Sequence, residues 1–479
     1  MSPAAIISSP VDGAAAVKAV DAKAPTVTAD GPIARNLLHV VDDRTGQYYQ
    51  IPISHNSISA NEFKKIKAPD TEFYADQNES GIRVFDHGFT NTAVVKSKVT
   101  YVDGKRGKIQ YRGYDLADIV ANNKKFIDTA HLLLWGFWPS FEEGANFQRK
   151  LFDAMYIDKC VLDTIHAIPP TASTTIMLTA GLAAVQATQM DKVPAHMAKN
   201  LYLGNPDLVD EQIIRLMGVL PVVSAVAYCH HTGRTFNSPR ADLTYIENFL
   251  YMCGHVQEET GLPNPRYVEN FERLWSLVAD HEMTCSTAAV LLTASSLPDP
   301  ISCIISGVSA SYGPLHGGAI EFAYKDMADI GSVANCQAKI DRVKAGKERL
   351  FGYGHRVYKV TDPRSDHIQA VLRTLKEEID NDPLLKVAFE LNRIAQQDEY
   401  FVSRGLKPNA DLYAAFTYGA MGFPADFILT ISTISRTQGL MAHWKEAMGL
   451  TLGFLLGGRP LLWRPTQIYT GKLDQKMGL

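Results

Sequence analysis

The sequence predicts an almost entirely helical protein, and three features of its 479 residues support this class. Beyond about residue 115, apolar residues recur with helical spacing, and no strand–helix alternation of the kind that builds a doubly wound sheet is present. Two β-prone runs, 98–102 and 108–111, flank the turn 103–107 and predict one hairpin. A chain of this length can bury about three quarters of its extended surface without a disulfide or metal.

Composition excludes two classes of partner. Hydrophobic residues make up 46% and charged residues 20%, as in ordinary globular proteins. The net charge of −4 argues against a nucleic-acid binder, which carries a basic surplus. No apolar run reaches the ~18 residues of a membrane span. The stretch 219–229 is interrupted by Pro221 and Ser224, so it predicts a buried helix and no membrane partner.

The cysteines and histidines show no metal-site spacing. No C-x-x-C pair occurs among Cys160, Cys229, Cys253, Cys285, Cys303 and Cys336. Most lie in apolar stretches, which predicts buried, reduced thiols in an intracellular enzyme. His281-Glu282 begins like H-E-x-x-H, but position 285 is cysteine, so we expect no zinc and no other metal.

Residues 1–45 are rich in Ala, Ser, Thr, Val and Pro and predict a disordered tail. Three aspartates precede its first arginine, Arg35, whereas mitochondrial presequences are Arg-rich and acid-poor. The final residues, 476–479, do not form the S-K-L peroxisomal address. We therefore expect a cytoplasmic protein, with the mitochondrion as the alternative.

Two helices stand out by their period. One begins at Ser365, a good N-cap just after Pro363, and ends before the sequence N-D-P at 381–383. Its apolar stripe consists of Ile368, Val371, Leu372, Leu375 and Ile379. Residues 245–253 show the same period.

Two segments place a histidine in an unusual local setting. Residues 279–282 contain His281, and taken alone they indicate a helix with a partly buried histidine. Residues 313–318 set His316 between backbone breakers, just before a helical pattern. The positive end of a helix dipole disfavours imidazolium, so we expect a neutral His316 that can donate a hydrogen bond. Gly317 and Gly318 leave room for a ligand, although a simple loop is the alternative.

Two further segments combine charge with backbone freedom. Residues 351–359, followed by 362–364, contain two glycines, a histidine and several cations, which suits a polyanionic ligand; a solvated basic turn is the alternative. Asp411 precedes an apolar helix, where a lone aspartate is usually an N-cap. Arg436 and Arg464 follow further along the chain.

Together these segments closely resemble the citrate synthase family, from about Tyr48 to Gly471. The matching motifs are G-P-x-H-G-G at 313–318, G-x-G-H-R-V-Y-K at 352–359, D-P-R at 362–364, N-x-D at 409–411, S-R-T at 435–437, A-H-W at 442–444 and R-P-x-Q-x-Y-T-G at 464–471. The hairpin and the sequence Y-R-G-Y at 111–114 are similar to the bacterial-type branch.

The resemblance implies a Claisen condensation of acetyl-CoA with oxaloacetate, followed by thioester hydrolysis to citrate and CoA. In the family pattern Asp411 removes the α-proton, and neutral His316 hydrogen-bonds the thioester oxygen as the enolate forms. His355 polarises the oxaloacetate carbonyl and can protonate the new alkoxide.

The remaining implied contacts bind the two substrates. Oxaloacetate carboxylates would meet Arg364, Arg436 and Arg464, with His281 completing the set. Arg356 and Lys359 would contact the CoA phosphates. The chemistry requires no metal or redox cofactor.

The fold implied is a nearly all-α, two-domain homodimer with the small N-terminal hairpin. A large domain would combine residues 46–318 with 425–479, and a small domain, 319–424, would close over the substrates. Arg464 would reach the site of the neighbouring subunit.

Two positions depart from the family pattern. Val278 stands where a histidine or another polar or aromatic residue is usual, three places before His281. Ser432 stands where a phenylalanine usually walls the acyl pocket, four places before Arg436. Loss of the ring opens space beside the reacting carbon, so a 2-methylcitrate or longer 2-alkylcitrate synthase is the alternative to citrate formation. A catalytically inactive acyl-CoA-binding paralogue is the second alternative.

Overall fold

The structure is a computed structural model that describes residues 36–67, 81–354, 357–358, 360–380, 382–449, 455–456, 459–472 and 475–477. For residue 411 and for the described residues between 455 and 460, only the backbone is described. Three residues assigned to the site from the sequence, His355, Arg356 and Lys359, lie outside the described residues.

The chain divides into two compact units, one up to Val94 and one from Val95 onward. In the first unit an antiparallel sheet has the order β1-β2-β3. Its strands are β1 (Leu37–Asp42), β2 (Gln47–Ser54) and β3 (Ser57–Ile58). The prediction of a disordered tail through residue 45 is therefore wrong for its last part, while residues 1–35 lie outside the described residues. The apolar run 37–41 pairs in register with 48–52 around a turn closed at Gly46, whose φ is 69°.

The second unit opens with the predicted hairpin, which is confirmed. Strand β4 (Thr100–Asp103) pairs with β5 (Lys108–Tyr111), and β6 (Tyr114–Asp115) adds a third strand. Asp103 Oδ1 accepts the backbone N–H groups of Lys105 and Arg106, both at 3.0 Å, which closes the turn.

Helices make up most of the rest of the described chain, as the sequence predicts. They are α1 (Leu116–Ala121), α2 (Phe126–Trp135), α3 (Phe141–Asp153), α4 (Lys159–His166), α5 (Thr174–Ala187), α6 (Pro194–Met197), α7 (Pro206–Thr232), α8 (Tyr245–Met252), α9 (Pro265–Val278), α10 (Cys285–Ala294), α11 (Pro300–Ser311), α12 (Ala319–Ile330), α13 (Cys336–Lys344), α14 (Ser365–Thr374), α15 (Lys376–Ile379), α16 (Pro383–Gln397), α17 (Glu399–Ser403), α18 (Asp411–Ala420) and α19 (Ile428–Met448). Near the C-terminus, β7 (Leu455–Leu456) pairs with β8 (Arg459–Pro460).

Both helices that the sequence singled out are present. The helix at 245 is α8, held by a capping box between Thr244 and Glu247. The helix at 365 begins one residue earlier than predicted, because Arg364 and not Ser365 occupies the N-cap position. It is interrupted at Leu375, so its predicted last part is the separate helix α15. That shift places a cation at the start of α14.

Helices α7 and α19 pack against each other in the core. Helix α7 is apolar and long enough to cross a membrane, but 83% of its most apolar window is buried within the protein, as for a core helix. The expectation of buried thiols is confirmed for Cys229, Cys253, Cys303 and Cys336; the other two cysteines, Cys160 and Cys285, are exposed, and all six are free.

The predicted division into a large domain and a small domain, 319–424, follows a different boundary from the two units and stays a prediction.

Candidate active site

One face of α19 is less buried than the rest of the helix. From Ile428 to Trp444 every residue is buried except Ser432 and Arg436, which are partly exposed. These two residues lie one turn apart on the same face of the helix, and Gly439 and His443 continue that face. A Cβ on Gly439 would lie 2.4 Å from the carbonyl oxygen of Ala279, so glycine is what lets the turn carrying His281 approach the helix.

His281 lies in a turn between α9 and α10. The expectation of a helical histidine is wrong, because α9 ends at Val278 and Glu282 has a left-handed φ of 59°. The imidazole is buried, and its Nε2 is 2.7 Å from Oη of Tyr358. Val278, the last residue of α9, is partly buried and packs against the core.

Arg364 is buried and held by Asp362. Its Nε and Nη2 donate to Oδ1 and Oδ2 of Asp362 at 3.0 and 2.6 Å, a bidentate pair. Burial alone would raise the pKa of the Asp362 carboxyl, but the charge and hydrogen bonds of Arg364 hold that pKa well below its usual range. Asp362 Oδ2 also accepts the backbone N–H of Ala410 at 3.3 Å. The carboxylate therefore ties a candidate substrate-binding arginine to the start of α18.

Two segments that precede candidate catalytic residues are paired through their backbones. Gly354 N–H donates to the carbonyl of Lys407 at 2.8 Å, and Asn409 N–H donates to the carbonyl of Gly352 at 3.0 Å. Asn409 Nδ2 adds a bond to the carbonyl of Gly354 at 2.9 Å. His355 follows the first segment in sequence and Asp411 follows the second.

Asp411 is the first residue of α18, with Ala410 at the N-cap position. The reading of Asp411 as the cap of this helix is therefore not supported by the backbone.

His316 lies three residues before α12 and contacts the first turn of α10. Its Nε2 is 3.3 Å from the backbone nitrogen of Ser286 and 2.9 Å from Ser286 Oγ. A first-turn N–H has no partner within its own helix, so it is available to donate to the imidazole. Burial, and then the positive charge of Arg436, lower the pKa of His316 to about 4. This direction agrees with the expected neutral His316, but its largest cause is burial.

The charge of Arg436 links these parts into one site. It acts on the ionisation of His316, Asp280 and Tyr358, and the charge of Arg364 acts on Tyr358 as well. The structure therefore brings together His281, His316, Arg364 and Arg436, which lie far apart in sequence.

Arg464 is exposed, and within this single chain no described contact brings it to that group. The preceding residue, Trp463, donates its backbone N–H to Ser295 Oγ at 3.1 Å, which fixes where this segment leaves the body of the chain.

Sequence reasoning missed three residues that shape the site. Tyr358 and Asp362 were part of matched motifs, and the spacing Asp-x-Arg could have indicated the bidentate pair. Ser286 gave no signal of its own, because it acts through a backbone N–H that every residue but proline carries.

The arrangement can bind an anionic substrate with two buried or partly buried guanidinium groups and place a neutral imidazole beside it. Such a site defines a helical enzyme that binds a small carboxylate and stabilises developing negative charge.

Comparison with known proteins gives the family. Residues 88–466 match the model for the citrate synthase C-terminal domain. The chain therefore belongs to the citrate synthase family, whose enzymes condense an acyl-CoA with oxaloacetate.

Relatives and solved structures agree with this assignment. The chain is 58% identical over 453 residues to the citrate synthase-like protein oryE of Aspergillus oryzae, covering 94% of this chain and 99% of that one. It is 38% identical over 416 residues to the alkylcitrate synthase phiJ of a fungus (Fungal sp.), covering 87% and 91%. Citrate synthase from Thermoplasma acidophilum, in a ternary complex with carboxymethyl coenzyme A and oxaloacetate, matches with a TM-score of 0.72 at 25% identity, covering 81% and 96%. Other matching citrate synthases are named as glyoxysomal or peroxisomal.

Proposed function

We propose that this enzyme is a 2-alkylcitrate synthase, which condenses an acyl-CoA longer than acetyl-CoA with oxaloacetate and hydrolyses the resulting thioester. The observation that carries the proposal is Ser432, a small, partly exposed residue of α19, one turn from Arg436. The family usually has a phenylalanine there, which would press on any donor larger than an acetyl group.

In this proposal, an alkyl chain takes the volume that a phenylalanine ring would occupy at position 432. Each buried CH₂ contributes ~0.8 kcal/mol, so two further carbons favour a longer donor by about tenfold. Bound water would oppose this by occupying the slot. The neighbouring Thr433 does not supply a free hydroxyl for such water, because it is buried and donates to the carbonyl of Leu429 at 2.9 Å. A relative named as an alkylcitrate synthase supports the same reading.

The proposed catalytic residues follow the family pattern. Asp411 removes the α-proton of the thioester, which is too weakly acidic to lose it without help. His316 stabilises the enolate oxygen, donating from Nδ1 because Nε2 faces the N–H of Ser286. His355 polarises the oxaloacetate carbonyl and protonates the alkoxide. These proton transfers use only groups of the chain, so the proposal includes no metal or redox cofactor.

Substrate binding in the proposal uses cations. Arg364, Arg436 and Arg464 bind the oxaloacetate carboxylates together with His281, and Arg356 and Lys359 bind the CoA phosphates.

We further propose a homodimer in which Arg464 completes the neighbouring site. Its exposure within the single chain supports this, because a residue of the site is otherwise expected to face it. Helices α10 and α11 are apolar, yet Leu292 on α10 is 48% exposed, as expected for a face that a partner covers.

The proposal also includes closure of a small domain, 319–424, over the substrates.

We propose the cytosol as the compartment of the enzyme, with the mitochondrion as the alternative. The relatives named as glyoxysomal or peroxisomal add a third compartment to test.

Citrate formation from acetyl-CoA is the second candidate function. The geometry around His316 and Arg364 does not depend on the donor and would serve both reactions. An inactive acyl-CoA-binding paralogue is disfavoured, because a neutral, oriented His316 has a catalytic use and no evident use in binding alone.

Turnover of wild-type enzyme with donors from acetyl-CoA to octanoyl-CoA tests the proposal. CoA release is followed with a thiol reagent, with and without oxaloacetate. We expect oxaloacetate-dependent release with a higher kcat/KM for longer donors than for acetyl-CoA. Use of acetyl-CoA alone would replace the proposal with citrate synthesis, and no release with any donor would favour the inactive paralogue.

A further inference from the structure

We propose that His443 is a positioning residue for oxaloacetate, acting through Asp280 on the turn that presents His281. The inference rests on the proposed function only for the identity of the substrate that His281 meets. Its geometric basis is a buried pair: His443 Nε2 lies 3.2 Å from Asp280 Oδ2, and the two side chains are 2% and 0% exposed.

Asp280 holds a strained backbone in place. Its Oδ2 also accepts the backbone N–H of Glu282 at 3.0 Å, closing a turn around His281. Glu282 has a φ of 59°, a conformation that costs free energy for a residue with a side chain. Tyr111 clamps the same turn, since its hydroxyl lies 3.1 Å from the carbonyl oxygen of Asp280 and 3.3 Å from its nitrogen.

The hydrogen bonds assign a proton to each nitrogen of His443. Ser97 Oγ donates to Glu446 Oε2 at 2.7 Å, so it accepts from Nδ1 of His443, which lies 3.4 Å away. Asp280 accepts from Nε2 on the other side. Both ring nitrogens therefore act as donors, which only the imidazolium form allows.

The charged groups around the pair are consistent with this cation. Arg112 Nη1 donates to Glu446 Oε1 at 3.2 Å. The charge of Arg112 disfavours the imidazolium form of His443, whereas the charges of Asp280 and Glu446 favour it. Burial is the largest single effect and would lower the pKa of His443, but the charge and hydrogen bond of Asp280 together with the charge of Glu446 raise it overall. Arg436, on the same face of α19, adds its charge to those acting on Asp280.

Removal of the cation should act on oxaloacetate first. A neutral side chain at 443 leaves the buried Asp280 carboxylate without its counter-charge, which is costly enough to rearrange the turn. His281 then loses its position against Tyr358. The acyl-CoA contacts lie on other segments, so the effect should be specific to one substrate.

The test compares His443→Gln with His255→Gln. His255 is partly buried and also bonded, 2.8 Å from Tyr228 Oη, but it lies outside the site and controls for lost stability. We expect His443→Gln to raise the KM for oxaloacetate and weaken its binding, measured calorimetrically without a donor, by about tenfold or more. The KM for the donor and kcat at saturating oxaloacetate should stay within about threefold.

Two further variants guard against simple misfolding. Asp280→Asn in the His443→Gln background removes both charges and should restore much of the oxaloacetate affinity. Ser97→Ala removes only the hydroxyl that accepts from Nδ1 of His443. The KM for oxaloacetate should rise by a few-fold, because a single hydrogen bond is lost.

A purely structural His443 would give a different pattern. Equal changes in both KM values, or a lowered melting temperature with wild-type kinetics as in His255→Gln, would overturn the inference. Failure of the proposed donor would not affect the test, because oxaloacetate binding is measured without one.

Discussion

The backbone N–H of Ser286 lies 3.3 Å from Nε2 of His316 and makes that nitrogen the acceptor of the imidazole. The proton of the neutral ring therefore resides on Nδ1, which is left to donate to a substrate oxygen. A protonated ring would lose this bond and would place a cation beside Arg436. The N–H at a helix start thus selects the tautomer, and the Ser286 hydroxyl lies 2.9 Å from the same nitrogen.

This relationship predicts how His316 titrates. Its pKa of about 4 lies below the ordinary 6.5, so the ring binds a proton only as the pH falls toward 4 and stays neutral from pH 5.5 to 8. NMR of histidine-labelled enzyme measures this, with the resonance assigned by its absence in His316→Gln. A midpoint near 6.5 would contradict the account of burial and Arg436.

The base is tested by Asp411→Asn. The substitution keeps the shape but removes the negative charge that accepts the α-proton, so kcat should fall by at least ~100-fold. Oxaloacetate affinity should be largely retained. A near-wild-type rate would mean that Asp411 serves only the first turn of α18.

Shared sites predict complementation between inactive variants. Arg464→Ala and His355→Ala homodimers should each be nearly inactive. In a mixed dimer both lesions fall in one site, and the other site has both wild-type residues, so activity should approach half that of wild type. Absence of recovery, with mixed dimers confirmed by mass, would show that Arg464 acts within its own chain.

The hairpin turn predicts an effect at a distance. A Cβ on Gly104 would lie 2.1 Å from the carbonyl oxygen of Val357, so Gly104→Ala must displace the segment that carries Tyr358. We expect reduced kcat/KM without a comparable loss of stability, measured by steady-state kinetics and thermal unfolding. Gly144→Ala, where the nearest atom is 3.7 Å away, is the matched control and should leave kinetics unchanged. Equal kcat/KM values for the two variants would show that the hairpin turn does not affect the site.

Local signals in the sequence predict local structure well. The hairpin around 103–107 and the helix at 245 follow from turn chemistry and from the period of apolar residues, and both are present. The failures have physical causes. Strand β1 was assigned to a disordered tail because it directly follows a stretch rich in Ala, Ser, Thr, Val and Pro, and only pairing with β2 shows its conformation.

The site was predictable in its parts and not in its assembly. Motifs indicated His316 and Arg364, but the contacts that tune them come from Ser286 and Asp362. Ser286 acts through its backbone N–H. Asp362 differs from a surface aspartate only in being buried, which the sequence does not show. His281 was placed on a helix because a left-handed residue such as Glu282 gives no sequence signal.

The central claim is that Ser432 leaves room for an alkyl chain, and Ser432→Phe tests it most directly. The measurement is kcat/KM for acetyl-CoA, propionyl-CoA and octanoyl-CoA in wild type, Ser432→Phe and Ser432→Ala, the last of which removes the hydroxyl without adding bulk. The account predicts that Ser432→Phe depresses the long-chain values far more than the acetyl value, while Ser432→Ala preserves or increases the preference for long chains. Equal scaling of every donor by Ser432→Phe would contradict it.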